Sequence, residues 1–132
     1  MQRLPEEGSR FLPERAPIDS YGNGGFRFAT MSHQGSLLIL ADGMHAWRPV
    51  VFADVTLADF AAVLGARIRP GFLLFGTGSQ MHLPSAPLRK AFADHGVALE
   101  AMTTGAAVRT YNILLAEKRD VAAALLAVET VR

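Results

Sequence analysis

The chain has 132 residues, half of them hydrophobic and 19% charged, a length and balance that suit one folded domain and exclude a disordered chain. Its 13 basic and 12 acidic residues leave a formal net charge of +1, which argues against a nucleic-acid footprint, normally far more basic. There is no cysteine, so disulfides, thiolate nucleophiles and cysteine-based metal or iron–sulfur ligation are excluded.

Residues 1–16 mix Arg3, Arg10 and Arg15 with Glu6, Glu7, Glu14, Pro5 and Pro13. A secretory signal needs an apolar stretch and a mitochondrial transit peptide avoids acids, so neither fits. These residues are expected to form a flexible N-terminal arm ahead of a single domain over 17–132. The apolar runs fall far short of the ~20 residues of a membrane helix. A cytoplasmic protein without a transmembrane segment is the expectation.

Residues 18–47 read as a β-meander. Gly22-Asn23-Gly24-Gly25 is a turn cluster, since glycine and asparagine tolerate the positive φ of tight turns. Phe26 and Phe28 flank Arg27 in the alternation of a half-buried strand. After His33-Gln34-Gly35 comes Leu37-Leu38-Ile39-Leu40, a continuous apolar run that predicts a strand covered on both faces. Asp42-Gly43 signals a hairpin, and Pro49 ends the returning strand after Trp47. Thr56 and Asp59 resemble an N-cap and first-turn acid for a helix over 57–64, which Gly65 ends.

The second half alternates strand and helix. A strand over 72–75 runs into the loop Gly76-Thr77-Gly78-Ser79-Gln80. Ser85 caps a helix that tolerates Pro87 in its first turn and closes at Gly96. A strand over 97–101 follows, then Thr103 or Thr104 caps a helix to about 117. Residues 121–128 suit either a helix, by alanine propensity, or a buried strand.

Two parallel strands joined by a helix cross over right-handed and end at the same edge of the sheet. The Gly76, Thr77, Gly78, Ser79 and Gln80 loop and the Thr103-Thr104-Gly105 turn should then share a rim, where open α/β sheets bind ligands. Backbone amides and helix N-termini there would favour a small anion, and Arg89 or Arg109 would add positive charge by turning inward. The chemistry stops short of a fingerprint. The third glycine of a dinucleotide loop is absent and there is no Gly-Lys-Ser/Thr. Ser79 and Thr104 have no histidine–acid pair beside them, so capping is the expected role of Thr104.

His33, His45, His82 and His95 are scattered without metal-ligand spacing, and no metal or cofactor is expected. Of the four, His82 falls on the rim. An asparagine within a helix must bond something to earn its place, so Asn112 is expected to tie its helix to a loop at the rim while Tyr111 buries its ring. Trp47 is either core or an exposed anchor for a partner.

Several of these motifs recur together in one order. They are Tyr21-Gly22, Gly25-Phe26, Gly35-Ser36-Leu37-Leu38-Ile39, Gly43, Trp47, the 72–78 stretch, and Met102-Thr103-Thr104 with Ala107 and Tyr111-Asn112. In that order the chain resembles the Mth-like domain family, over about residues 18–128 and in the compact form of a bacterial member. The resemblance implies a three-layer α/β fold around a mixed sheet, with a strand after the Tyr111-Asn112 helix, so 121–128 is expected as that strand. It supplies no catalytic residues. Because a mitochondrial member helps respiratory complex I assemble, it implies a non-enzymatic assembly or interaction domain with a protein partner, such as a peripheral complex I component. The competing expectation, from the residues themselves, is a small-ligand or anion-binding protein or enzyme using the rim.

Overall fold

The computed structural model describes residues 10–130. Along them run β1 (Arg10–Leu12), β2 (Ser20–Gly22), β3 (Gly25–Phe28), β4 (Met31–Gln34), β5 (Ser36–Leu40) and β6 (Gly43–Trp47). Then come two 3₁₀ turns, Phe52–Asp54 and Leu57–Phe60, followed by α1 (Ala61–Leu64), β7 (Phe72–Gly76), α2 (Ala86–Asp94), β8 (Ala98–Met102), α3 (Thr104–Ala116) and β9 (Ala122–Leu125).

The apolar runs dictate the layers. Successive strand residues point to opposite faces, so a run such as Leu37-Leu38-Ile39 must be covered on both. Leu37, Ile39, Leu74, Ala123 and Leu125 pack on one side with Phe26, Phe28, Val108 and Tyr111, that is, under α3 and the small sheet. Leu38, Leu73, Phe75, Ala122 and Ala124 pack on the other with Trp47, Phe60, Val63, Leu88 and Phe92, beneath α1 and α2. Between these layers lies a mixed six-stranded sheet in the order β1-β6-β5-β9-β7-β8. Its β7–β8 and β7–β9 pairs are parallel, whereas β5–β9, β5–β6 and β1–β6 are antiparallel. The three-layer α/β domain around a mixed sheet is therefore as expected, and residues 122–125 are the strand the family resemblance implied.

Three local expectations are corrected. First, 18–47 is not one meander. β2, β3 and β4 form a separate antiparallel sheet, and the chain leaves it at Gly35, whose φ of +101° directs β5 into the central sheet instead. Second, the described part of the arm is not loose. Residues 10–12 pair with β6, and Ala16 is buried; residues 1–9 lie outside the described residues. A Cβ at Gly43 would collide with the Leu12 carbonyl, so the hairpin glycine also makes room for β1. Third, the helix over 57–64 opens as a 3₁₀ turn and becomes α-helical only from Ala61. Its first turn is drawn tight by Asp59, which accepts from the Thr56 amide at 2.8 Å and from Arg48 Nε and Nη2 at 2.7 Å each. These charge-assisted bonds, the Arg48 pair above all, hold the Asp59 carboxyl below the usual carboxylate range.

Candidate functional site at the sheet rim

β7 and β8 lie side by side in parallel register from Phe72↔Ala98 to Gly76↔Met102. Their C-terminal ends therefore deliver the 76–80 loop and the Thr103-Thr104-Gly105 turn to one rim. The two loops are laced together. Thr77 donates its amide to the Met102 carbonyl (2.9 Å), and Thr104 donates its amide to the Gly78 carbonyl (2.8 Å). Gly78 returns an amide bond to Thr104 Oγ1 (3.0 Å), and that hydroxyl donates to the Leu126 carbonyl (2.7 Å). Thr77 Oγ1 donates to the Gln80 carbonyl and accepts from the His82 amide. Thr103 caps α3 by accepting from the Ala106 amide.

Many of the groups that could have met an anion are thus engaged with the protein itself. Gly105 lies under the Tyr21 hydroxyl, which a Cβ at that position would strike, so Tyr21 covers the start of α3. Arg89 and Arg109 are both exposed. Gly76, with Thr104 Oγ1 3.0 Å from where its Cβ would be, lets β7 and α3 approach closely. Thr104 is fully buried and is both helix residue and loop clamp, a larger role than the capping expected of it.

Next to this laced rim is a cleft of about 360 Å³, lined by Ser79, Gln80 and His82 on one side and by Val51, Phe52 and Glu129 on others. The His82 ring stacks on Phe52, centroids 4.7 Å apart and planes 20° from parallel. Val50 (67%) and Val51 (55%) in the cleft wall are exposed large apolar side chains, as are Met81 (52%) and Leu83 (65%), which flank His82 in the chain. Sequence reading missed these residues. Val50 and Val51 follow Pro49, where the strand pattern ends, and nothing in the sequence says that the 50–52 turn folds against His82.

Trp47 belongs to the core. It is 6% exposed, packs edge-on against Phe60 and Phe75 and donates its indole N–H to the Asp59 carbonyl, so it offers no exposed anchor. Tyr111 is fully buried and donates its hydroxyl to the Ala16 carbonyl at 2.7 Å. Asn112 bonds the backbone of Ile18 with both ends of its amide, accepting from N–H at 2.8 Å and donating to C=O at 2.9 Å. The tie exists, but it reaches the N-terminal segment and not the rim. Among the described residues no cluster of His, Asp and Glu is arranged to hold a metal ion. No helix among them is long and apolar enough to cross a membrane.

A mixed sheet between an α1–α2 layer and an α3–meander layer is the architecture of an Mth-like domain. A Bordetella pertussis protein described as a Mth938-like domain superimposes with a TM-score of 0.73 at 29% identity, over 88% of this chain and 89% of that one. Residues 18–126 match a family described as a protein of unknown function (DUF498/DUF598), and the chain belongs to that family. It is 40% identical to an uncharacterised protein of Rhodobacter capsulatus over 83% of each chain. A crystal structure described as an outer membrane protein from Bartonella henselae matches with a TM-score of 0.85 and 44% identity, over 90% of this chain and all of that one. More distantly, the chain is 26% identical to NADH dehydrogenase [ubiquinone] 1 alpha subcomplex assembly factor 3 of Xenopus tropicalis, over 94% of this chain and 66% of that protein. The chain thus spans about two-thirds of that assembly factor's length.

Proposed function

We propose that this protein is a non-enzymatic assembly domain that docks onto a protein partner through the rim face, with Val50, Val51, Met81 and Leu83 as the apolar contact. One observation carries the reading. The rim's threonines and glycines largely bond one another, while Val50 and Val51 in the cleft wall and Met81 and Leu83, on either side of His82 in the chain, are left to water. Exposed large apolar side chains that come together on a surface mark protein contacts. The contact first sought at Trp47 moves a few residues on, to Val50 and Val51. The assembly factors among the relatives make a respiratory complex I component, or an intermediate in its assembly, the partner to test first, in a cytoplasmic or membrane-peripheral setting.

The test is co-purification from cells that make the protein naturally, comparing the parent with a Val51→Asp/Met81→Asp double variant. The parent should carry complex I components, and the variant should lose them while keeping its fold by circular dichroism. Normal complex I in a deletion strain, together with undiminished pull-down by the folded variant, would overturn the reading. The small-ligand alternative keeps one support, the cleft itself. Glu129 on its wall opposes an anion, and a metabolite screen without a thermal shift would remove that support.

A further inference from the structure

A second cleft lies at the other end of the sheet, where β7 and β9 begin. It measures about 390 Å³, within the range of small-molecule sites, about 300–1,000 Å³. The tip of the β5–β6 hairpin forms one wall, α1 and the loop after it another, and the start of β9 the floor. Leu40, Ala62, Ala66 and the buried Ala122 give it an apolar lining. Ile68 is part of the same lining and 85% exposed, an isoleucine left for something to cover.

The charged residues around this apolar space are not equivalent. Asp42 is bonded to His45 Nε2 at 2.8 Å. Asp120 is paired with Arg15 at 2.9 Å, and Arg15 also donates to the Val121 carbonyl. Both carboxylates therefore have partners. Arg67 also lines the cleft and makes no hydrogen bond or ion pair among the described residues. The group left to meet a ligand is a guanidinium, whose planar fork matches a carboxylate. The two aspartates nearby, 60% and 65% exposed in their side chains, add negative charge that disfavours a doubly charged head group relative to a singly charged one.

We propose that this cleft binds a small amphiphilic monocarboxylate, its apolar body against Leu40, Ala62 and Ala122 and its carboxylate on Arg67. The site is separate from the rim face and does not rest on the docking proposal. Burial of the ligand's hydrocarbon would provide most of the affinity, and Arg67 would set the head-group preference.

Octanoate is the probe, titrated into the full chain while amide chemical shifts are followed. Saturable shifts are expected over 40–45 and 62–70, with the rim signals unmoved. Arg67→Gln should weaken binding roughly tenfold, as loss of a charge-assisted bond does, and its exposed position makes a folded variant the expected product. Octylammonium and octyl phosphate should both bind more weakly than octanoate. Four outcomes would each overturn the proposal: no saturable shift at millimolar octanoate, undiminished binding by folded Arg67→Gln, preference for octylammonium or octyl phosphate, or shifts centred on the rim.

Discussion

The two ends of α3 make an instructive pair. At its N-terminus Thr104 is fully buried and joins Gly78 to Leu126, locking two loops that the parallel strands already bring together. Seven residues further on, Tyr111 and Asn112 reach Ala16 and Ile18, a segment that lies between β1 and β2 and belongs to neither sheet. The first end reinforces a geometry set by the sheet. The second end creates one. In an apolar helix a conspicuous polar side chain suggests chemistry, yet here each completes the bonding of buried backbone, whose groups are costly to leave unpaired. Among the side chains left exposed around the rim are Val50, Val51, Met81 and Leu83, and that shifts the functional argument from reaction to contact.

Substitutions can break this comparison at either end. The largest effect is expected at Tyr111. Tyr111→Ala should cost about 3–5 kcal/mol, the range for truncating a buried aromatic, and Tyr111→Phe only about 1 kcal/mol for its one hydroxyl bond; urea melts of both variants separate ring from hydroxyl. Thr104→Val keeps the shape but leaves the Gly78 amide and the Leu126 carbonyl short of a partner, for a loss of about 2–3 kcal/mol. Hydrogen exchange should then quicken in the 76–80 loop and not at residues 16–18. Equal quickening at both places would mean that the two ends of α3 are not independent.

A charged tie sharpens the contrast, because it responds to pH and the neutral ones do not. Asp59 is 6% exposed in its side chain, and Arg48 depresses its carboxyl. A depressed acid contributes stability above its unfolded value and loses it as pH falls through the folded one. Asp59→Asn should cost about 2 kcal/mol at neutral pH, with the gap to the parent closing in acid. A constant gap across an acid series of melts would show that charge is not what Asp59 supplies. Asn112→Ala should cost less than the changes at Thr104 and Asp59, about 1–2 kcal/mol for two half-buried bonds. It should appear as faster exchange at Ile18, and unaltered exchange there would refute the tie.

Much of this architecture is legible in the residues. The parallel β7–β8 pair follows from two short apolar runs ending in small polar residues. The capping hydroxyls of Ser85 and Thr103 mark the starts of α2 and α3, and the Asp42-Gly43 hairpin could be read directly. Local signals reach only as far as local bonds, however. Asn112 looked out of place, but its partner is 94 positions away, and nothing near it in the chain points there. β1 carries Arg10 at its start and has Pro13 just beyond, a poor advertisement for a strand, and it pairs because the β6 edge is open and Gly43 leaves space. The split of the meander at Gly35 depends on competition between two sheets, which no single strand encodes. β9 itself was settled by family resemblance, since Ala122-Ala123-Ala124 favours a helix on propensity alone.

The position of β9 has a consequence for how the protein is made. It leaves the ribosome after every other strand among the described residues, yet in the finished sheet it lies between β5 and β7. Until it emerges, two strongly apolar strands have an open side each, and the half containing β1, β6 and β5 is not joined to the half containing β7 and β8. Pairings this distant in sequence are slow to form and leave sticky edges exposed while they wait. A chain truncated before residue 122 should therefore be a client for chaperones, whereas a released chain that includes β9 can close the sheet around three alanines.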